Sequence, residues 1–121
     1  MRPIALGFLA AVFATTFALG HEANGPNGGR IVDAGDYHVE LVAKGGNVEV
    51  YVTDTSDKPV ATDSLKGLAI LTVGGKSQRI ELVAAGSNKL QGPATSPIAG
   101  NPKGVVQLML PDGKKARGQY R

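Results

Sequence analysis

YHVELVAKGGNVEVYVTD, residues 37–54, is the stretch whose reading decides the fold. On either side of Gly45-Gly46, apolar residues fall at alternate positions: Val39 and Leu41 before it, Val48, Val50 and Val52 after it. Alternation of this kind marks half-buried strands, and a Gly-Gly pair between two such runs reads as a two-residue primed turn. The expected hairpin sets Leu41 against Val50, Val39 against Val52 and Tyr37 against Asp54. Its other face carries Glu40 across from Tyr51 and His38 across from Thr53. A slip of one residue would turn the apolar set to the solvent side, so the register is well specified.

Working backward, HEANGPNGGR is a turn-rich lead-in, with Asn24-Gly25, Pro26, Asn27-Gly28 and Gly29 in succession. Ahead of it, Arg2 gives a short positive start, residues 4–19 form an apolar run, and Ala18-Leu19-Gly20 supplies a small-residue site. That pattern is a secretory signal peptide over residues 1–20, with cleavage expected after Gly20 to leave His21 as the amino terminus, and after Ala18 as the second choice. The run is too short for a membrane span, and nothing later is apolar enough for one. About 100 residues remain, enough for a single domain over residues 30–121 after a flexible lead-in at 21–29. There is no cysteine, so disulfides contribute nothing.

Working forward, Arg30-Ile31-Val32-Asp33 is a short strand and Ala34-Gly35-Asp36 turns it into the central hairpin. Ala69, Leu71 and Val73 alternate, as do Gln78, Ile80, Leu82 and Ala84, and pairing Leu71 with Ile80 centres a second turn on Gly75-Lys76. Residues 88–91 make a short strand, and residues 92–104, with Pro93, Pro97 and Pro102, make an irregular crossing loop. Val106, Leu108 and Leu110 alternate before Pro111-Asp112-Gly113, and residues 114–120 return. The expected fold is all-β: an antiparallel immunoglobulin-like β-sandwich of about 7–8 short strands, or failing that a small β-barrel. Val39, Leu41, Val50, Val52, Leu71, Ile80, Leu82, Val106 and Leu108 are its expected core.

Charge is unevenly placed. Residues 21–65 hold three Lys/Arg against eight Asp/Glu, and residues 66–121 hold nine against two. The acidic half attracts cations and the basic half faces an anionic partner or surface. Nucleic acid does not fit, because Tyr120 is the single aromatic residue of the basic half and offers no stacking platform.

The lead-in and first strands, HEANGPNGGRIVDAGDYHVELV, resemble small exported proteobacterial proteins that pair a PNGG or PHGG turn with a GDYHVEL-type strand. They also resemble the N-terminal region of periplasmic adaptor subunits of heavy-metal efflux pumps. YVTDTSDKPVAT and VVQLMLPDGKKARGQYR are similar to strands of small bacterial immunoglobulin-like domains. The resemblance spans most of the chain after residue 20 and implies a periplasmic setting, with a link to metal handling. Such lead-ins often hold several histidines, whereas this one holds His21 alone.

No motif marks an enzyme. There is no phosphate-cradling GxxxxGK[ST] loop, dinucleotide fingerprint or HExxH pair, and no elbow motif marks a serine for a triad with His38 and Asp36. Metal binding fits better. His38 and Glu40, two apart on a strand, share one face about 6.5–7 Å apart and can converge on one ion. An amino-terminal His21 would add its amine and its imidazole, giving with His38 three nitrogens suited to tetragonal Cu(II). The chemistry is similar to the histidine brace of some exported copper proteins. Zn(II) can use the same nitrogens with Glu40. Met109 is the lone methionine after the signal, so a thioether-rich Cu(I) site is not expected. The alternative is a metal-free interaction module that docks on an efflux adaptor or other envelope component through a strand edge or its basic C-terminal hairpin, where Lys114, Lys115, Arg117 and Arg121 cluster.

Overall fold

The computed structural model describes residues 23–98 and 101–121. These form eight antiparallel strand elements and no helix: β1 (Ala23–Asn24), β2 (Arg30–Ala34), β3 (Tyr37–Asp54), β4 (Lys66–Val73), β5 (Lys76–Ala84), β6 (Lys89–Ile98), β7 (Lys103–Met109) and β8 (Lys115–Tyr120). Hydrogen bonding links them into one sheet in the order β1-β2-β3-β6-β5-β4-β7-β8. The expected all-β antiparallel class therefore holds. In place of two separately stacked sheets, the strands make one continuous sheet that curls into a half-barrel.

β3 is a single extended run of 18 residues, but it is not straight. A straight strand would hold Glu40 and Tyr51 about 36 Å apart. Instead both line one cavity, and the charge of Glu40 is felt at the Tyr51 phenol. Lys44 likewise reaches Glu49 at 3.6 Å. The run folds back at Gly45-Gly46, where Gly45 has φ 58, the left-handed geometry that the first residue of a II′ turn requires. Its first arm pairs with β2, from Arg30↔Leu41 to Ala34↔Tyr37. Its second arm pairs with β6, from Asn47↔Pro93 to Tyr51↔Lys89.

The β4–β5 hairpin corrects the sequence expectation by two residues. Ala69 pairs with Ile80 and Leu71 with Gln78, so the turn is Gly74-Gly75 and not Gly75-Lys76. Both glycines have positive φ, 60 and 80, as a type I′ turn demands of both central residues. Lys76 in that conformation would clash at its Cβ. A shift of two preserves which side chains face inward, so the core is unaffected.

A larger correction concerns residues 92–98, which belong to β6 and not to a loop. Pairing with β3 jumps from Asn47↔Pro93 to Gly45↔Ile98, so residues 94–97 bulge away from that ladder. The Gln78 side chain takes up the polar groups this leaves. Its Oε1 accepts from Thr95 N at 2.8 Å and Ser96 N at 3.2 Å, and its Nε2 donates to the Ser96 carbonyl at 3.0 Å.

All nine residues expected in the core are buried, together with Val48, Ala69, Leu90, Ile98 and Tyr120. Full burial of a large aliphatic side chain contributes roughly 1.5–3 kcal/mol. The curl brings β8 against β2, where Gly118 lies beside Val32, and over β3, where the Tyr120 hydroxyl donates to the Val39 carbonyl at 2.6 Å; Arg30 of β2 donates to the Arg121 carbonyl at 3.1 Å.

Candidate functional site

The outer side of the β2–β3 pair gathers the residues that carry chemistry. Val39 and Leu41 point into the core, so His38 and Glu40 point the other way, as the alternation requires. From there their surroundings diverge.

His38 sits opposite Asp33 in the β2–β3 ladder and is half-buried. Its Nε2 lies 3.3 Å from Asp33 Oδ1, and its Nδ1 lies 3.0 Å from Asp57 Oδ1. Asp57 reaches it from the turn that follows β3. That turn is built by Asp54, whose Oδ1 accepts from Ser56 N at 2.8 Å and Lys58 N at 3.0 Å. Those two backbone donors hold the Asp54 carboxyl below its usual range, and the nearby Lys58 and His38 charges add to the effect.

Glu40 is not the exposed carboxylate that the strand pattern led one to expect. It is 3% exposed. The NGPNGG lead-in folds over it: Oε2 accepts from Asn27 N at 2.9 Å and Gly29 N at 2.8 Å, and Oε1 accepts from Asn27 Nδ2 at 2.9 Å. Its oxygens are engaged by the turn, where the spacing alone pointed to an open carboxylate beside His38. A turn-rich segment has backbone N–H groups in need of acceptors, and an outward carboxylate on the adjacent strand supplies them.

Beside Glu40 a cavity of about 450 Å³ opens, walled by Pro26, Ile31, Tyr51 and Pro59, with Asp57 at its rim. Tyr51 donates to Glu49 Oε1 at 3.1 Å. Burial, that hydrogen bond and the charges of Glu49 and Glu40 push its phenol up, so it stays protonated. Burial also pushes Glu49 up, but the Tyr51 hydrogen bond and the cations of Lys89 and Lys44 outweigh it and leave the carboxyl lowered.

His21 lies outside the described residues. Among the described residues, no group of three or more His, Cys, Asp and Glu is placed to hold a metal ion, and no helix is long and apolar enough to cross a membrane. The structure thus brings together His38, Asp33 and Asp57, while the Glu40 oxygens are taken up by the lead-in. Asp33 was legible only in principle: the turn is Gly35-Asp36 and not Ala34-Gly35-Asp36, and that sets Asp33 opposite His38. Asp57 was not, because it reaches back through a turn in which its own φ is 63, a conformation that no strand period announces. Compared with protein-family models, with curated proteins and with solved structures, the chain matches none of them significantly.

Proposed function

We propose that this chain is a non-catalytic, exported domain that binds one divalent metal ion, Cu(II) in preference to Zn(II), in the periplasm. The relationship to immunoglobulin-like exported proteins and to efflux adaptors, and the signal peptide over residues 1–20, belong to the same proposal. The observation that carries it is the His38 environment. A hydrogen bond of 3.0 Å joins His38 Nδ1 and Asp57 Oδ1, so an imidazole nitrogen and a carboxylate oxygen stand side by side near the surface. On the far side of the ring, Asp33 stands where a ligating histidine commonly donates its other N–H to a carboxylate.

The two described donors need company, and His21 is the residue to supply it. Ala23 pairs with Ile31 in the β1–β2 ladder, and Asp33 lies two residues along β2 from Ile31. His21 lies two residues before Ala23 in the chain. Its amine and imidazole would complete a set of three nitrogens and one oxygen. Glu40 takes a supporting role here, fixing the lead-in through Asn27 and Gly29.

Calorimetric titration of the processed protein with Cu(II) tests this. Stoichiometric binding is expected, weakened at least tenfold by His38→Ala and by one residue added ahead of His21, and falling in acid because amine and imidazole bind only when deprotonated. Asp57→Asn should weaken it less. Absence of stoichiometric binding by Cu(II) and Zn(II) at neutral pH would leave the metal-free interaction module as the better reading.

A further inference from the structure

The outer side of the other half of the sheet has no chain folded over it among the described residues. The ladders define it row by row. Arg79, Ile70, Val105 and Gln119 form one row across β5, β4, β7 and β8. Glu81, Leu68, Gln107 and Arg117 form the next. Lys66, Met109 and Lys115 form the third, with Val83 following Leu82 on β5 at its end. Inward neighbours Ala69, Ile80, Leu82, Val106 and Leu108 are buried, so these twelve point away from the core. The face is about 14 Å wide across four strands. It holds four cations against one carboxylate, with five apolar side chains between them. Ile70 at 40% and Val83 at 60% are the exposed large hydrophobic residues of the described chain, and both are here. None of the ion pairs among the described residues engages Lys66, Arg79, Lys115 or Arg117.

We infer that this face docks on an anionic lipid surface. Lys and Arg would sit at the headgroup phosphates while Ile70, Val83 and Met109 enter the shallow apolar boundary beneath them. The composition separates this occupant from two others. The face carries no aromatic residue to anchor in a partner protein's pocket, the usual centre of a specific interface. Two copies meeting through the same face would set cations against cations, which costs affinity. A fluid anionic surface requires only charge and a shallow apolar patch, and this face supplies both.

The test is co-sedimentation with vesicles, in chelator, so that the result does not depend on metal binding. Vesicles of phosphatidylcholine mixed with phosphatidylglycerol should carry the protein down, and phosphatidylcholine alone should not. Binding should weaken as salt is raised. Arg117→Gln and Lys115→Gln should each weaken partitioning by about fivefold, the share of one cation near such a surface. Val83→Ser should also weaken it, and Lys58→Gln, on the other half, should leave it unchanged. All four positions are exposed, so unchanged melting curves will confirm that the variants fold. Equal binding to both vesicle types, no binding to either, or binding indifferent to these substitutions would overturn the inference. So would self-association without vesicles that the same substitutions abolish, which would assign the face to a second copy.

Discussion

Glu40 and Glu81 both point away from the core of one sheet, Glu40 from β3 and Glu81 from β5. Glu40 is 3% exposed and Glu81 lies open to solvent. The difference lies in what the chain places over each strand. Around β2 and β3 the connections are polar and rich in Gly and Asn, and they fold back across the sheet, so outward carboxylates become their hydrogen-bond acceptors. Around β4, β5, β7 and β8 the turns are tight and the ladders regular, and outward side chains meet water. One pattern of alternation thus fixes the core in both halves, and the connections decide the chemistry of the outer faces.

The largest expected effect tests the shared part of that comparison. Val50→Asp in the first half and Leu82→Asp in the second each bury an unpaired carboxylate in a domain without disulfides. Such a charge costs several kcal/mol against a total stability of about 5–15 kcal/mol. Circular dichroism should record no cooperative melt for either variant, and a near-normal melt for one alone would mean that the halves are not held by a common core.

Next comes the contrast itself. Glu40→Ala leaves two backbone N–H groups and the Asn27 amide without their acceptor, at an expected cost of about 3 kcal/mol in urea titration. Glu81→Ala, at an exposed site, should stay within about 0.5 kcal/mol. Equal costs would dissolve the distinction between the covered and the bare face.

A pH series sharpens it. Both carboxyls held below their usual range, Glu49 and Asp54, belong to the first half. A carboxyl lowered by folding adds stability above its unfolded pKa and loses it as pH falls through the lowered value. Acid should therefore cost stability from the ordinary carboxylate range downward. Glu49→Gln with Asp54→Asn should flatten that slope, which chemical denaturation at several pH values will measure. His38→Ala should cost far less than Glu40→Ala. It removes two partly exposed contacts to Asp33 and Asp57 and should cost up to about 1 kcal/mol, whatever it does to metal binding.

Which parts were legible follows from the same physics. Valines at alternate positions and a Gly-Gly turn announce the core and the fold-back of β3, because both depend on local rules. Gly74-Gly75 was legible in principle, since both central residues of a type I′ turn need positive φ and glycine meets that demand without strain. Residues 92–98 were hidden by their prolines. They remain extended because Gln78, distant in sequence, hydrogen-bonds Thr95 and Ser96 in place of a ladder. At the candidate site, His38 and its outward direction came from the strand period. The burial of Glu40 came from the lead-in that folds over it, a tertiary contact that composition does not encode.

The meeting of β8 with β2 has a consequence for how copies of this protein behave in a crowd. An open antiparallel sheet ends in two rows of unsatisfied backbone groups, each a template on which another chain can grow. Here β1 pairs with Arg30 and Ile31, and β8 lies against Val32, Asp33 and Ala34, so the two ends of the sheet shield one another. The closeness depends on Gly118: a Cβ there would stand 2.7 Å from Val32 Cγ2 and 3.2 Å from the Asp33 carbonyl. A bulky residue at Gly118 would therefore pry the seam open and expose both templates at once. The expected phenotype is fibrillar aggregation of molecules that are otherwise largely folded.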